Sequence, residues 1–187
     1  MSRAIAVLTA VSILATIALR AEENVAEPDD YRRDEYRAPT PRTLKGARVV
    51  DTSEAAVLWR SRPAVFIDVM PRAPRPRGLP PGTIWRDKPR LNIPGSIWLP
   101  DTGHGDLAAS TMKYFRRGLE AATAGDPART VVFYCLRDCW MSWNAARRAI
   151  GLSYTSVAWY PEGTDGWQSA GLPLEEAKPM ELSAQQN

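Results

Sequence analysis

The chain is poor in the residue types that build most structural metal sites. Its 187 residues include one histidine, His104, and two cysteines, Cys135 and Cys139. A tetrahedral zinc site needs four ligands, usually cysteine and histidine at recognisable spacings. The two cysteines and the distant histidine supply only three such ligands, so the sequence predicts no metal site.

An excess of charge of one sign is also lacking. Lysine and arginine number 24 against 21 acidic residues, a net charge of +3. Residues 1–21 carry Arg3 and Arg20 and no acid, so the chain without them has 22 basic and 21 acidic residues and a net charge of +1. No stripe of basic residues interleaved with aromatics is present. These features argue against nucleic acid as a partner.

A long apolar run occurs only at the N terminus, from Ala4 to Leu19. It is shorter than the roughly 20 residues of a membrane-spanning helix, and Arg3 before it and Ala21 after it are typical of a secretory signal peptide. We therefore predict that 1–21 is a signal peptide, that the protein is periplasmic, and that no membrane span remains after cleavage. An uncleaved anchor is the alternative. In an oxidising compartment, two thiols tend to pair.

The remaining chain divides into three predicted parts. Residues 22–45 are charged and proline-containing, which predicts an extended N-terminal arm; 46–178 form one domain, and 179–187 a flexible tail. Within the domain, short apolar runs typical of buried strands alternate with helical patterns. This order predicts an α/β fold with a central parallel sheet flanked by helices, and reactive groups at the carboxyl ends of its strands.

Three of the predicted helices have candidate N-caps. Thr52 or Ser53 is expected to cap the first helix, Ser110 or Thr111 the second, and Ser142 the helix that follows the cysteines.

The two cysteines flank the point where the apolar run VVFYC gives way to a helical pattern. A helix N-terminus and the inward-facing N–H groups of a curled loop favour a thiolate. A disulfide in so small a ring would contribute only about 2 kcal/mol to stability. We therefore favour redox or sulfur-transfer chemistry over a local structural disulfide or two inert thiols. The predicted active loop comprises Leu136, Arg137, Asp138, Trp140, Met141 and Ser142 between and after the two cysteines.

Several segments resemble known proteins. AVFIDV, IPGSIWLP, VVFYC and SVAWYPEGTDGWQSAGLPL follow one another as in a rhodanese-like domain, which implies a three-layer fold. CLRDCWMSWNAARRA together with WYPEGTDGW resembles an exported family named for a CXXCW motif and for its association with pyrroloquinoline quinone (PQQ)-dependent catabolism. The spacing here is CxxxCW, one residue longer than that name.

The resemblance implies roles for individual residues. Cys135 stands in the place of the rhodanese sulfur-carrying cysteine, and Asp68 in the place of a structural aspartate at the end of a strand. Asp165 lies where the rim of a rhodanese faces the active loop. Met141 replaces the arginine that normally closes the loop and cannot clamp an anion, which argues against phosphatase activity and thiosulfate. Cys139 is an addition to the usual loop.

The predicted function is that of an exported accessory protein in PQQ-dependent alcohol catabolism, with nucleophilic Cys135 and resolving Cys139. A Cys135 pKa below about 8.5 is expected. No intrinsic cofactor is predicted, and PQQ enzymes enter only as associated proteins. One alternative is a non-catalytic module that binds a periplasmic PQQ-dependent dehydrogenase or its cytochrome. The other is a sulfurtransferase that carries persulfide on Cys135.

Overall fold

The computed structural model describes residues 25–61, 63–84 and 89–182. The predicted signal peptide, 1–21, and the last residues of the predicted tail therefore lie outside the described part of the chain. Within that part, no helix combines the length and apolar character needed to cross a bilayer.

Seven strands and four helices make up the described fold. The strands are β1 Arg48–Val49, β2 Val65–Asp68, β3 Arg90–Asn92, β4 Ile97–Trp98, β5 Val131–Tyr134, β6 Val157–Tyr160 and β7 Glu175–Ala177. The helices are α1 Thr52–Ser61, α2 Ala109–Thr123, α3 Trp140–Gly151 and α4 Gly163–Ser169.

Five strands form one parallel sheet in the order β1-β6-β5-β2-β4. Strands β3 and β7 pair antiparallel in a separate two-stranded sheet. The predicted α/β class with a central parallel sheet is therefore confirmed. Because β5 is the middle strand, whatever follows it lies at the centre of one sheet edge, between the ends of β6 and β2.

Two apolar cores cover opposite faces of the sheet. Val131 and Phe133 of β5 pack in one core with α2 and α3, whereas Val132 and Tyr134 pack in the other with α1 and α4. Successive residues of a strand point to opposite faces, so a strand buried on both faces reads as a continuous apolar run. The result is the expected three-layer arrangement with helices on both sides of the sheet.

The predicted caps were wrong for all three helices. Asp51 caps α1, since the Glu54 N–H donates to its Oδ1 at 2.8 Å and the Asp51 N–H donates to Glu54 Oε2 at 3.1 Å. This reciprocal pair is a capping box that starts one residue before the predicted cap. Helix α2 follows Ala108, and α3 follows Cys139, both without a side-chain cap.

The start of the predicted tail contacts the sheet. Pro179 forms a bridge with Trp98 at the end of β4, and the Met180 N–H donates to the Trp98 carbonyl at 2.9 Å. The Tyr114 hydroxyl of α2 donates to the Met180 carbonyl at 2.9 Å. Residues 179 and 180 are therefore held between β4 and α2.

Candidate functional site

The candidate site is the loop that joins β5 to α3 at the carboxyl end of the central strand. Cys135 directly follows β5, and Cys139 directly precedes α3. Asp138 has a φ of +52°, in the left-handed region that aspartate tolerates better than most residues. The loop turns at this residue, and both cysteines come to lie in the same apolar core.

Both cysteines are free thiols with almost no exposure, 0% for Cys135 and 2% for Cys139. Cys135 and Cys139 are hydrogen-bonded to each other, and the Met141 N–H donates to Cys139 Sγ. The Leu136 N–H contacts the sulfur atoms of both cysteines. The predicted nest of loop N–H groups is thus present in part. Both donors reach the sulfur of Cys139, which therefore occupies the space where an external anion would bind.

The two thiols have opposite pKa shifts. Burial, followed by the hydrogen bond to Cys139, raises the pKa of Cys135 well above its ordinary value. The pKa of Cys139 is lowered to about 7 by the hydrogen bond from Cys135, with further lowering by the Met141 and Leu136 N–H groups and by the charge of Arg37. The expected low pKa of Cys135 was therefore wrong. Cys135 ends a buried strand, whereas Cys139 lies at the helix N-terminus, where backbone donors stabilise a thiolate.

A third sulfur atom lies beside the pair. Met70 Sδ is 3.4 Å from Cys135 Sγ, which makes the thioether an alternative acceptor for the single proton of the Cys135 thiol. Met70 follows β2, the neighbour of β5 in the sheet. Sequence reasoning missed it, although residues that follow adjacent parallel strands meet at the same sheet edge.

A buried ion pair supports this edge of the sheet. Asp68, fully buried at the end of β2, accepts from Arg90 Nε at 2.7 Å and from the Met70 N–H at 2.8 Å. Arg90 Nη2 also donates to the Cys135 carbonyl at 3.5 Å. Burial raises the pKa of Asp68, and Arg90 opposes this shift. Through Arg90, Asp68 thus connects the backbone of Met70 to the backbone of Cys135.

Helix α4 holds the other side of the loop. The Thr164 N–H donates to the Cys135 carbonyl at 3.0 Å, and Asp165 Oδ2 accepts from the Arg137 N–H at 3.0 Å. Gly163 has a φ of +53°, and a Cβ there would lie 2.4 Å from the Cys135 carbonyl oxygen. A side chain at this position would push the start of α4 away from the loop. Asp165, the predicted rim residue, thus contacts the loop at the backbone of Arg137.

The other predicted loop residues divide between core and surface. Trp140 and Met141 are buried, and a Cβ on Gly103 would lie 2.4 Å from the Met141 Cβ. Ser142 is also buried; its hydroxyl donates to the Cys139 carbonyl at 3.0 Å and accepts from Trp159 Nε1 at 3.0 Å. Ser142 therefore fixes the first turn of α3.

Arg137 and Asp138 have exposed side chains. Together with Thr40, Pro161 and Glu162, they line a cleft of about 360 Å³ outside the loop. This cleft is polar, and the two thiols are not among its lining residues.

The N-terminal segment covers the loop. The backbone of Arg37 forms an antiparallel bridge with Cys139, and the Trp140 N–H donates to the Tyr36 carbonyl at 2.9 Å. Asn144 of α3 accepts from the Arg32 N–H at 3.0 Å and donates to the Arg32 carbonyl at 2.8 Å. We call residues 25–45 the docked arm. A reagent reaches Cys139 only when this segment or the loop moves.

Among residues 25–61, 63–84 and 89–182, no group of three or more histidine, cysteine or acidic side chains is placed to hold a metal ion. His104, the sole histidine, packs edge-on against Tyr36 of the docked arm with ring centroids 5.2 Å apart.

No protein-family model matches the chain, and no curated protein matches it. Among solved structures, thiosulfate sulfurtransferase from Pseudomonas aeruginosa has 20% identity and a TM-score of 0.49 over 73% of this chain. This chain spans 22% of that protein's length. The polysulfide-sulfur transferase homodimer from Wolinella succinogenes has 13% identity and a TM-score of 0.44, covering 71% of this chain and 80% of that one.

A protein of unknown function from Rhodopseudomonas palustris, described as a possible tyrosine phosphatase, has 20% identity and a TM-score of 0.45. That match covers 73% of this chain and 99% of the other. At these identities the similarity concerns the fold alone, and the strand order given above defines the fold of this chain.

Proposed function

We propose that this protein is a thiol/disulfide redox protein on a rhodanese-like scaffold, with Cys139 as the attacking thiol and Cys135 as the resolving thiol. The observation that carries the proposal is the hydrogen bond between two free, buried thiols in one short loop. The N–H groups of Leu136 and Met141 on Cys139 Sγ support the assignment of roles. These roles are the reverse of those expected from the sequence.

The reaction needs an oxidant that carries a disulfide, either a partner protein or a small molecule. The Cys139 thiolate attacks one sulfur of that disulfide; its S–S bond breaks, a mixed disulfide forms, and one thiolate leaves and takes up a proton. Cys135 then loses its proton and attacks Cys139 Sγ, which expels the second thiolate. Two protein thiols are oxidised to a disulfide, and one disulfide is reduced to two thiols.

The site itself argues for redox chemistry over anion transfer. An arginine at the end of the loop would offer a fork of donors to an external anion. Met141 stands there and packs against the backbone of Gly103. The Met141 N–H already binds Cys139 Sγ, and the Arg137 N–H binds Asp165.

We further propose export and a role as an accessory to PQQ-dependent alcohol catabolism, with a periplasmic dehydrogenase or its cytochrome as the partner. This part rests on the resemblance of CLRDCW and WYPEGTDGW to the exported CXXCW family. Its test is growth of the host on alcohol with Cys139→Ser in place of the wild type. Unchanged alcohol oxidation would remove the link to this pathway.

The chemistry is tested by redox equilibration in glutathione buffers, with the disulfide counted by mass spectrometry after thiol blocking. We expect one reversible Cys135–Cys139 disulfide per chain. With an aromatic disulfide as probe, Cys135→Ser should accumulate a mixed disulfide at Cys139, and Cys139→Ser should react much more slowly. Absence of the intramolecular disulfide at every potential, or faster trapping at Cys135, would contradict the proposal.

Sulfur transfer remains the second candidate, because Cys135 ends the central strand in the place of the rhodanese sulfur carrier. Incubation with persulfide donors distinguishes the two. A sulfur atom retained on Cys135 in the wild type, without a disulfide, would favour the transferase. A periplasmic partner retained by the double Cys→Ser variant would favour a binding module.

A further inference from the structure

We propose that the reduced site binds one Cu(I) ion through three sulfur atoms, those of Cys135, Cys139 and Met70. The motivating observation is that this sheet edge brings together two thiols and a thioether from separate parts of the chain. Met70 Sδ lies 3.4 Å from Cys135 Sγ, and Cys135 is hydrogen-bonded to Cys139 Sγ. Cys135 therefore contacts the sulfur atoms of both other residues.

The distance between the sulfur atoms of Cys135 and Met70 is close to what a three-sulfur site requires. With metal–sulfur bonds of about 2.3 Å, three ligands in a trigonal plane lie about 4.0 Å apart. The Cys135–Met70 separation of 3.4 Å needs to open by about 0.6 Å to reach this value. Met70 is only half-buried and has three rotatable side-chain bonds, so it can make this adjustment without moving the strand.

The donor set selects the ion. Thiolate and thioether sulfur are soft ligands that favour Cu(I), whereas zinc prefers four ligands drawn from cysteine, histidine and carboxylates. In the part of the chain that the structure describes, no third cysteine, histidine or acid joins the two thiols. The thioether therefore supplies the third ligand, and low coordination suits the monovalent ion.

The surroundings balance the charge of the complex. Two thiolates and one Cu(I) leave a net charge of −1 at a buried position. The N–H groups of Leu136 and Met141 already donate to Cys139 Sγ, and Arg37 of the docked arm lies close enough to stabilise negative charge there. Binding releases the thiol protons to solvent and changes no oxidation state, so it needs neither oxidant nor reductant.

The inference is independent of the proposed disulfide chemistry, since it concerns only the reduced thiols. The test is a titration of reduced, full-length protein with Cu(I) under argon, in competition with a chromogenic Cu(I) chelator. We expect one Cu(I) per chain, and X-ray absorption should show a first shell of sulfur atoms only. Cys135→Ser and Cys139→Ser should each abolish binding in competition with the chelator.

Met70→Leu is the decisive variant, because it keeps the size of the side chain and removes only the sulfur ligand. We expect it to weaken Cu(I) affinity at least about tenfold and to remove one sulfur from the first shell. Met112→Leu, on α2 and without a sulfur contact to the site, is the matched control and should bind like the wild type. Thermal unfolding checks that both variants fold.

The outcomes separate the two proposals. Disulfide formation is measured on the wild type and Met112→Leu, so the redox result does not depend on Met70. Lost Cu(I) affinity in Met70→Leu alone supports a metal site built on three sulfurs. Unchanged affinity and an unchanged sulfur shell in Met70→Leu would overturn the inference, as would a wild type that yields all Cu(I) to the chelator. Preferential retention of Zn(II) over Cu(I) would overturn it as well.

Discussion

The docked arm controls access to Cys139, and its hydrogen bonds to Asn144 allow this control to be measured. Asn144 is fully buried and makes two hydrogen bonds to the backbone of Arg32, at 3.0 and 2.8 Å, and a third to the Gly103 carbonyl. Asn144→Ala removes all three. Each hydrogen bond contributes about 1 kcal/mol, so the docked state of the arm loses about 2 kcal/mol relative to the open state.

A loss of about 2 kcal/mol corresponds to about 30-fold more frequent opening of the arm. If the arm closes faster than a reagent reacts, the labelling rate of Cys139 follows the opening equilibrium. Other contacts, including the Trp140 N–H to the Tyr36 carbonyl, still hold the arm in the variant. We therefore expect labelling of reduced Cys139 by a maleimide to accelerate between about 10- and 30-fold.

The assay is pseudo-first-order labelling at fixed pH, with the labelled cysteine located by mass spectrometry. Asn92→Ala is the matched control. Asn92 is also buried, but it lies on β3 and its side-chain amide makes no hydrogen bond to the arm. Denaturant unfolding of both variants separates local opening from lost global stability. Equal acceleration in the two variants, or none in Asn144→Ala, would refute a gating role for the arm.

Three further outcomes follow from the site. Cys135→Ala removes the main cause of the low Cys139 pKa, so the midpoint of a pH titration followed by thiolate absorbance should rise from about 7 towards 9.0. Cys135→Ser keeps a hydrogen-bond donor, so its midpoint should rise less. Gly163→Ala should lower the unfolding free energy by about 2–5 kcal/mol, from left-handed strain plus overlap with the Cys135 carbonyl. Gly171→Ala, with positive φ but open space, should cost only about 1–2 kcal/mol in the same urea titration. Protein loaded with Cu(I) should react with an aromatic disulfide at least about tenfold more slowly than the metal-free protein, because both thiols are ligands.

The sheet and the position of the cysteines were predictable because they depend on local patterns. Continuous apolar runs mark strands buried on both faces, and VVFYC ends where a helical pattern begins. The pKa order of Cys135 and Cys139 was not predictable in this way. It depends on the way the loop turns at Asp138, which brings the Met141 N–H to the second sulfur and not to the first.

The contact between the docked arm and the loop, and the position of Met70, escaped prediction for a different reason. The arm is held mainly through its backbone: carbonyls of Tyr36 and Arg32 accept from α3, more than 100 residues away along the chain. Charged, proline-containing sequence indicates an irregular path, but it carries no sign of where backbone atoms dock. Met70 is recognisable only once the order of the strands places β2 next to β5.

Sulfur transfer and disulfide chemistry compete for the same donors in this loop. The Met141 N–H binds Cys139 Sγ, so a persulfide or oxyanion on Cys135 could use it only after Cys139 had moved away. Formation of the Cys135–Cys139 disulfide requires the opposite, that Cys139 stay beside Cys135 while the loop remains curled. The arm favours the second arrangement, because the bridge between Arg37 and Cys139 ties the second cysteine to the covering segment. Release of the arm would therefore let Cys139 move and free the Met141 N–H for an external anion.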